Sequence, residues 1–107
     1  MPSTLGQKIR DLRKQKAWTL DKLATEADLS KSYLWELENR EDSKRPSADT
    51  IRAIGDALGV TTEYLTEDDV RPPKEREKDE AFFRQYRKLN QADKERLRQI
   101  IEAFKKS

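Results

Sequence analysis

The chain has 107 residues, 41% of them charged and 34% hydrophobic, with a net charge of +2. That suits one small domain with an appendage and a thin, well-patterned core. Without cysteine or histidine, disulfides are excluded, and zinc sites and imidazole-based hydrolases are disfavoured.

Ser3 or Thr4 can cap a first helix, in which Leu5, Ile9 and Leu12 recur at helical spacing and which should run out near Lys16. Thr19 is a good N-cap for a second helix with Leu20, Leu23, Ala24 and Ala27 on its apolar side. Lys22 stands where a capping box would carry an acidic residue or glutamine. Asp28-Leu29 is the turn, and Ser30 caps a third helix reaching about Asn39. Residues 40–46 form a polar loop. Ser47 caps a fourth helix with Ile51, Ile54 and Leu58, and Gly59 stops it. Thr61 or Thr62 starts a short fifth helix carrying Tyr64 and Leu65.

Composition changes after residue 66. "TEDDVRPPKE" combines an acidic cluster with Pro72-Pro73 and has the character of a linker, placed at residues 67–75. Two amphipathic helices follow in residues 76–107. Phe82, Phe83, Tyr86 and Leu89 form one stripe, and Leu97, Ile100, Ile101 and Phe104 the other, with Asn90 capping the second helix. Nothing alternates with period two over a useful length, so the expected fold class is all-α. No run approaches the ~20 apolar residues of a membrane span, and the start of the sequence lacks a signal-type apolar region. A soluble, cytoplasmic protein without contact to membranes is the expectation.

Residues 19–39 carry the functional information. Two short helices joined by a tight turn, with small Ala24 at their closest approach, fit either a DNA-reading helix-turn-helix or an ordinary helical corner. The stretch "LGQKIRDLRKQKAWTLDKLATEADLSKSYLWELENR", followed by "RPSADTIRAIGDALGV" and "TTEYL", resembles the Cro/C1 (XRE) family of bacterial and phage regulators. The resemblance covers roughly residues 4–66. It implies a five-helix lambda-repressor-like domain over residues 1–66, with the third helix entering the major groove.

A helical wheel of that third helix turns Leu34 and Leu37 inward and Ser32, Glu36 and Asn39 outward. Lys31 and Trp35 share one flank, and Tyr33 takes the other. The resemblance implies base reading at Lys31, Ser32 and Glu36, with Tyr33 and Trp35 beside them. Lysine can donate to guanine O6 and N7, and glutamate can accept from cytosine N4. Trp35 has three readings: contact with a thymine methyl or deoxyribose, stacking on the Lys31 stem, or cover for the domain's own edge. Candidate phosphate contacts are Thr19, Ser30, Arg40, Ser43, Lys44 and Arg45, with Arg10 and Lys14 as weaker ones. Leu20 occupies a position where related repressors often place a phosphate-binding glutamine. The resemblance also implies an ion pair between Arg13 and Glu38.

Residues 1–66 hold 11 Lys+Arg and 11 Asp+Glu, against 12 and 10 in residues 67–107. DNA binding by so neutral a domain requires its positive charge to be segregated on one face. The 32 residues after the linker cannot bury a full core alone. Phe82, Phe83, Tyr86, Leu97, Ile100, Ile101 and Phe104 therefore meet a second copy, pack on the first domain, or dock another protein. The leading expectation is a transcriptional regulator, a repressor, reading an inverted repeat as a homodimer. The alternative is a protein-interaction module such as an autoregulating antitoxin. No catalytic constellation and no cofactor motif point to an enzyme.

Overall fold

A computed structural model describes residues 3–41 and 45–106. Among these the chain is all-helical, with α1 Thr4–Gln15, α2 Leu20–Ala27, α3 Lys31–Asn39, α4 Ala48–Leu58, α5 Thr62–Thr66, α6 Glu75–Lys88 and α7 Gln91–Lys106. Helix starts follow from capping chemistry. The hydroxyls of Ser3, Thr19, Ser30, Ser47 and Thr61 each accept a hydrogen bond from the backbone N–H three residues on, at 3.0–3.2 Å. Each such cap contributes about 1 kcal/mol.

Helix ends need left-handed backbone at three points. Gly59 (φ 75°) closes α4 and Asp28 (φ 55°) closes α2, and glycine and aspartate accept this conformation at low cost. Ala17 (φ 57°) ends α1 at a cost of about 1–2 kcal/mol for a residue with a Cβ. The turn it makes brings Trp18 N–H to Arg13 O at 3.1 Å.

The core lies among α1–α5. Ile9, Leu23, Leu34 and Ile54 are fully buried in it, together with Leu37, Leu58, Tyr64 and Leu65. Burying one such aliphatic side chain contributes about 1.5–3 kcal/mol. α1 crosses the end of α3 so closely that a Cβ on Gly6 would lie 2.1 Å from Leu37 O. Only glycine permits that approach, and it fixes how far α3 stands out from the body.

α6 lies against α4, but not through its aromatic stripe. The buried residues of α6 are Glu77 and Ala81, whereas Phe82 and Phe83 are 58% and 55% exposed. A hollow of about 510 Å³, lined by Leu12, Leu58, Val60, Pro73 and Phe82 among others, remains between α6 and the body. α7 has no buried residue, and Ile100, Ile101 and Phe104 are exposed. Tyr86 and Leu97 are half-buried, and the Phe83 and Tyr86 rings stack at 6.2 Å.

Candidate nucleic-acid interface

α2 and α3 form the unit that presents the site. Leu29 N–H bonds to Ala24 O at 2.9 Å across the turn, and Ala24 is buried where the two helices meet. Ser30 then caps α3, whose inner face buries Leu34, Leu37 and Glu38.

A buried carboxylate is costly unless paired. Glu38 is only 1% exposed and is held by a fork of two bonds, Arg13 Nε to Oε2 at 2.8 Å and Arg13 Nη2 to Oε1 at 2.9 Å. Arg13 Nη1 donates to Trp18 O at 2.8 Å. The same guanidinium thus ties α3 to α1 and to the turn before α2. Its pKa is raised, chiefly by the hydrogen bond to Glu38.

The outer face of α3 is exposed at Lys31, Ser32, Trp35, Glu36 and Asn39, while Tyr33 is half-buried and packs on the core. Lys31, Ser32, Trp35 and Glu36 line one shallow surface hollow. Trp35 is 47% exposed, and Asn39 Nδ2 donates to Trp35 O at 2.8 Å. Lys31 directs its ammonium to Asp21 Oδ2 on α2, 3.4 Å away. Both partners are well exposed, so this pair is weak and open to exchange for a stronger acceptor.

The described phosphate candidates lie at the starts of α2 and α3 and in the segment that follows α3. Thr19 and Ser30 open α2 and α3, where free backbone N–H groups attract anions. Arg40 and Arg45 are exposed at the ends of the intervening loop. Ser43 and Lys44 lie outside the described residues. Leu20 is half-buried against the core, so any phosphate contact there falls to the backbone. Trp18 carries Lys16 and Lys22 over its ring at 5.0 and 5.6 Å. Spacing assigns neither lysine to this site, because the turn beside them depends on the left-handed Ala17.

A second polar cluster also escaped periodicity. Lys8 sits on the inner side of α1, buried, and donates to Tyr64 O at 2.6 Å and Glu67 O at 2.8 Å. Its ammonium lies 4.6 Å from the Tyr64 ring centroid. Burial lowers its pKa, and Glu67 opposes that shift.

The comparisons with known proteins fall on this part of the chain. A family model described as a helix-turn-helix domain matches residues 4–67. The chain belongs to this family. The immunity repressor protein of Bacillus phage phi105 is 42% identical over 57 residues, covering 53% of this chain and 38% of the repressor. The HTH-type transcriptional regulator SinR of Bacillus subtilis (strain 168) is 33% identical over 64 residues, covering 60% of this chain and 57% of SinR. The matched region therefore spans roughly two fifths to three fifths of these relatives' length.

Among solved structures, SinR in complex with DNA superposes with a TM-score of 0.55 at 33% identity, over 59% of this chain and 98% of that one. A SinR/SinI complex aligns over 96% of this chain and 99% of its own at a TM-score of 0.57. With 21% identity, that likeness speaks to the fold, and it extends over α6 and α7.

Proposed function

We propose that this chain is a sequence-specific DNA-binding transcriptional regulator, a repressor, that reads an inverted-repeat operator as a homodimer in the cytoplasm. The observation that carries this reading is the outer face of α3. It is exposed and polar, it is held rigidly from behind by Leu34, Leu37 and the Arg13–Glu38 fork, and it belongs to a helix-turn-helix family with a relative solved on DNA.

In this reading Lys31 leaves Asp21 for guanine O6 or N7, Ser32 and Glu36 meet neighbouring base edges, and Glu36 favours cytosine N4. Trp35 supplies an apolar surface for a thymine methyl, and Tyr33 flanks it. Thr19, Ser30, Arg40, Ser43, Lys44 and Arg45 hold the phosphates and supply most of the affinity. Residues 67–75 connect this domain to the hairpin of residues 76–107. There Phe82, Phe83, Tyr86, Leu97, Ile100, Ile101 and Phe104 pair with a second copy, because most of these apolar side chains stand exposed on the single chain. Family repressors work as such dimers on half-sites about one turn, or ~34 Å, apart.

The test is selection of bound sequences from random duplex DNA by the purified chain. Enrichment of an inverted repeat is the expected result, and no enrichment at low salt would overturn the proposal. The Glu36→Gln protein should relax the selected motif at one position per half-site. The same exposed hairpin favours a second reading, a module that docks a different protein on α6 and α7. A stoichiometric partner that co-purifies and blocks self-association would move the balance there.

A further inference from the structure

We propose that Arg71 and Asp56 set the spacing between operator half-sites, by clamping α6 to the reading domain at both of its ends. The inference rests on the dimeric reading above and assigns a specificity role to residues that touch no DNA.

At the N-terminal end, Arg71 meets Glu77 in a fork, with Nη1 to Oε1 at 2.8 Å and Nη2 to Oε2 at 2.7 Å. Nη2 also reaches Glu67 Oε2 at 2.7 Å. The guanidinium lies over the Tyr64 ring, 5.1 Å from its centroid, and the Tyr64 hydroxyl donates to Arg71 O. Tyr64 is itself buried in the core of α1–α5. The connecting segment after α5 is thereby pinned to the body on one side and to the first turn of α6 on the other.

At the C-terminal end, Asp56 of α4 holds three side chains of α6. Lys88 Nζ lies 3.0 Å from Oδ2, Arg84 Nη1 lies 3.7 Å from Oδ1, and Gln85 Nε2 donates to Asp56 O. Between the two fastenings Ala81 is buried against the body, and its small side chain allows the close approach. Glu77 and Lys88 are eleven residues apart, about 16 Å along a helix axis. One fastening would leave a swivel, whereas two at that separation resist tilting.

α4, which carries Asp56, packs on α2, and α2 packs on α3. The direction in which α6 leaves the body is therefore fixed relative to the reading helix. α7 follows through a short turn in which Asn90 Oδ1 accepts from Asp93 N–H. In a dimer joined through the hairpin, the two α6 helices act as struts between the two copies of α3. One inserted base pair moves a half-site by ~3.4 Å and turns it by ~35°. A clamped strut resists such a change, and a swivelling one absorbs it.

The experiment uses the full chain, the selected operator, and versions of that operator with the spacer altered by one or two base pairs either way. Affinities are measured for wild type, Arg71→Ala and Asp56→Ala, together with a duplex carrying a single half-site. Wild type should lose about tenfold or more in affinity per base pair of altered spacing. Each variant should bind a single half-site like wild type, yet lose only about two- to threefold per base pair. Variant profiles as steep as that of wild type would overturn the inference and leave dimeric reading intact. Loss of single half-site binding in both variants would overturn it too, by showing that these residues serve the fold of the reading domain. A flat profile in wild type would remove the dimeric reading itself, and this inference with it.

Discussion

α3 and α6 are both helices set against the same body, each with one Arg–Glu fork at its base, but the rest of what holds them differs. α3 buries Leu34 and Leu37 and turns Lys31, Ser32 and Glu36 to solvent. α6 buries Glu77 and Ala81, is fastened through Arg71 and Asp56, and turns Phe82 and Phe83 outward. Apart from the forks, what each helix displays is the complement of what holds it. A polar face on an apolar anchor suits a nucleic acid, and an apolar face on polar anchors suits a protein surface. The contrast divides the labour of the chain between reading and assembly.

The sharpest way to break the contrast is to truncate one apolar residue on each helix. Leu34→Ala empties a fully buried site and should cost about 2–5 kcal/mol in urea unfolding. Phe83→Ser removes an exposed ring and should leave the stability of the dilute, monomeric chain within about 0.5 kcal/mol. The same serine should weaken self-association in light scattering. Equal costs for the two would mean that Phe83 belongs to the core and that the division is false.

Next in size stands the carboxylate beneath α3. Glu38→Ala leaves Arg13 without its fork and should cost about 3 kcal/mol, because removing one member of a buried pair strands the other. Glu38→Gln should cost less, since an amide oxygen still accepts from Arg13. A loss below ~0.5 kcal/mol for the alanine variant would place this pair among ordinary surface pairs.

The α1–α5 body was legible in the sequence because its apolar residues recur at helical spacing and its caps are Ser and Thr at the right offsets. Ser3, Thr19, Ser30, Ser47 and Thr61 all cap helices at or next to the expected starts. The outward set of α3 was legible by the same wheel. Spacing failed where polar atoms decide the packing. Spacing gives no mark to Lys8, a charged residue on α1, yet it is buried against two carbonyls of the segment around α5. The stripe of Phe82, Phe83 and Tyr86 left open whether α6 meets a second copy, the first domain or another protein, and it did not reveal that Ala81 and the ion pairs around it hold that helix to the body. Hydrophobic periodicity locates the face an apolar partner would want. It does not report whether that partner belongs to the same chain.

The smallest effect tests the anchor of α6 directly, through pH. Hydrogen bonds from Arg71, together with one from Lys74 N–H, hold the Glu77 carboxyl at about 2, against an ordinary value near 4.5. A carboxyl with a depressed folded pKa binds fewer protons in the folded state than in the unfolded one. Its stabilisation is therefore complete above about 4.5 and fades as the pH falls towards about 2. Other carboxylates also titrate in this window, so the informative quantity is a difference. Melting temperatures of wild type and Glu77→Gln, followed from pH 6 to pH 2, isolate the contribution of this one group. Wild type should melt higher by a constant margin above pH 5, and the two curves should converge towards pH 2. The margin should be smaller than the loss caused by Leu34→Ala, because Arg71 remains partly open to water. A margin independent of pH would mean that Glu77 contributes its shape alone. α6 would then be held by Ala81 and Asp56, with the Arg71 fork as an accessory.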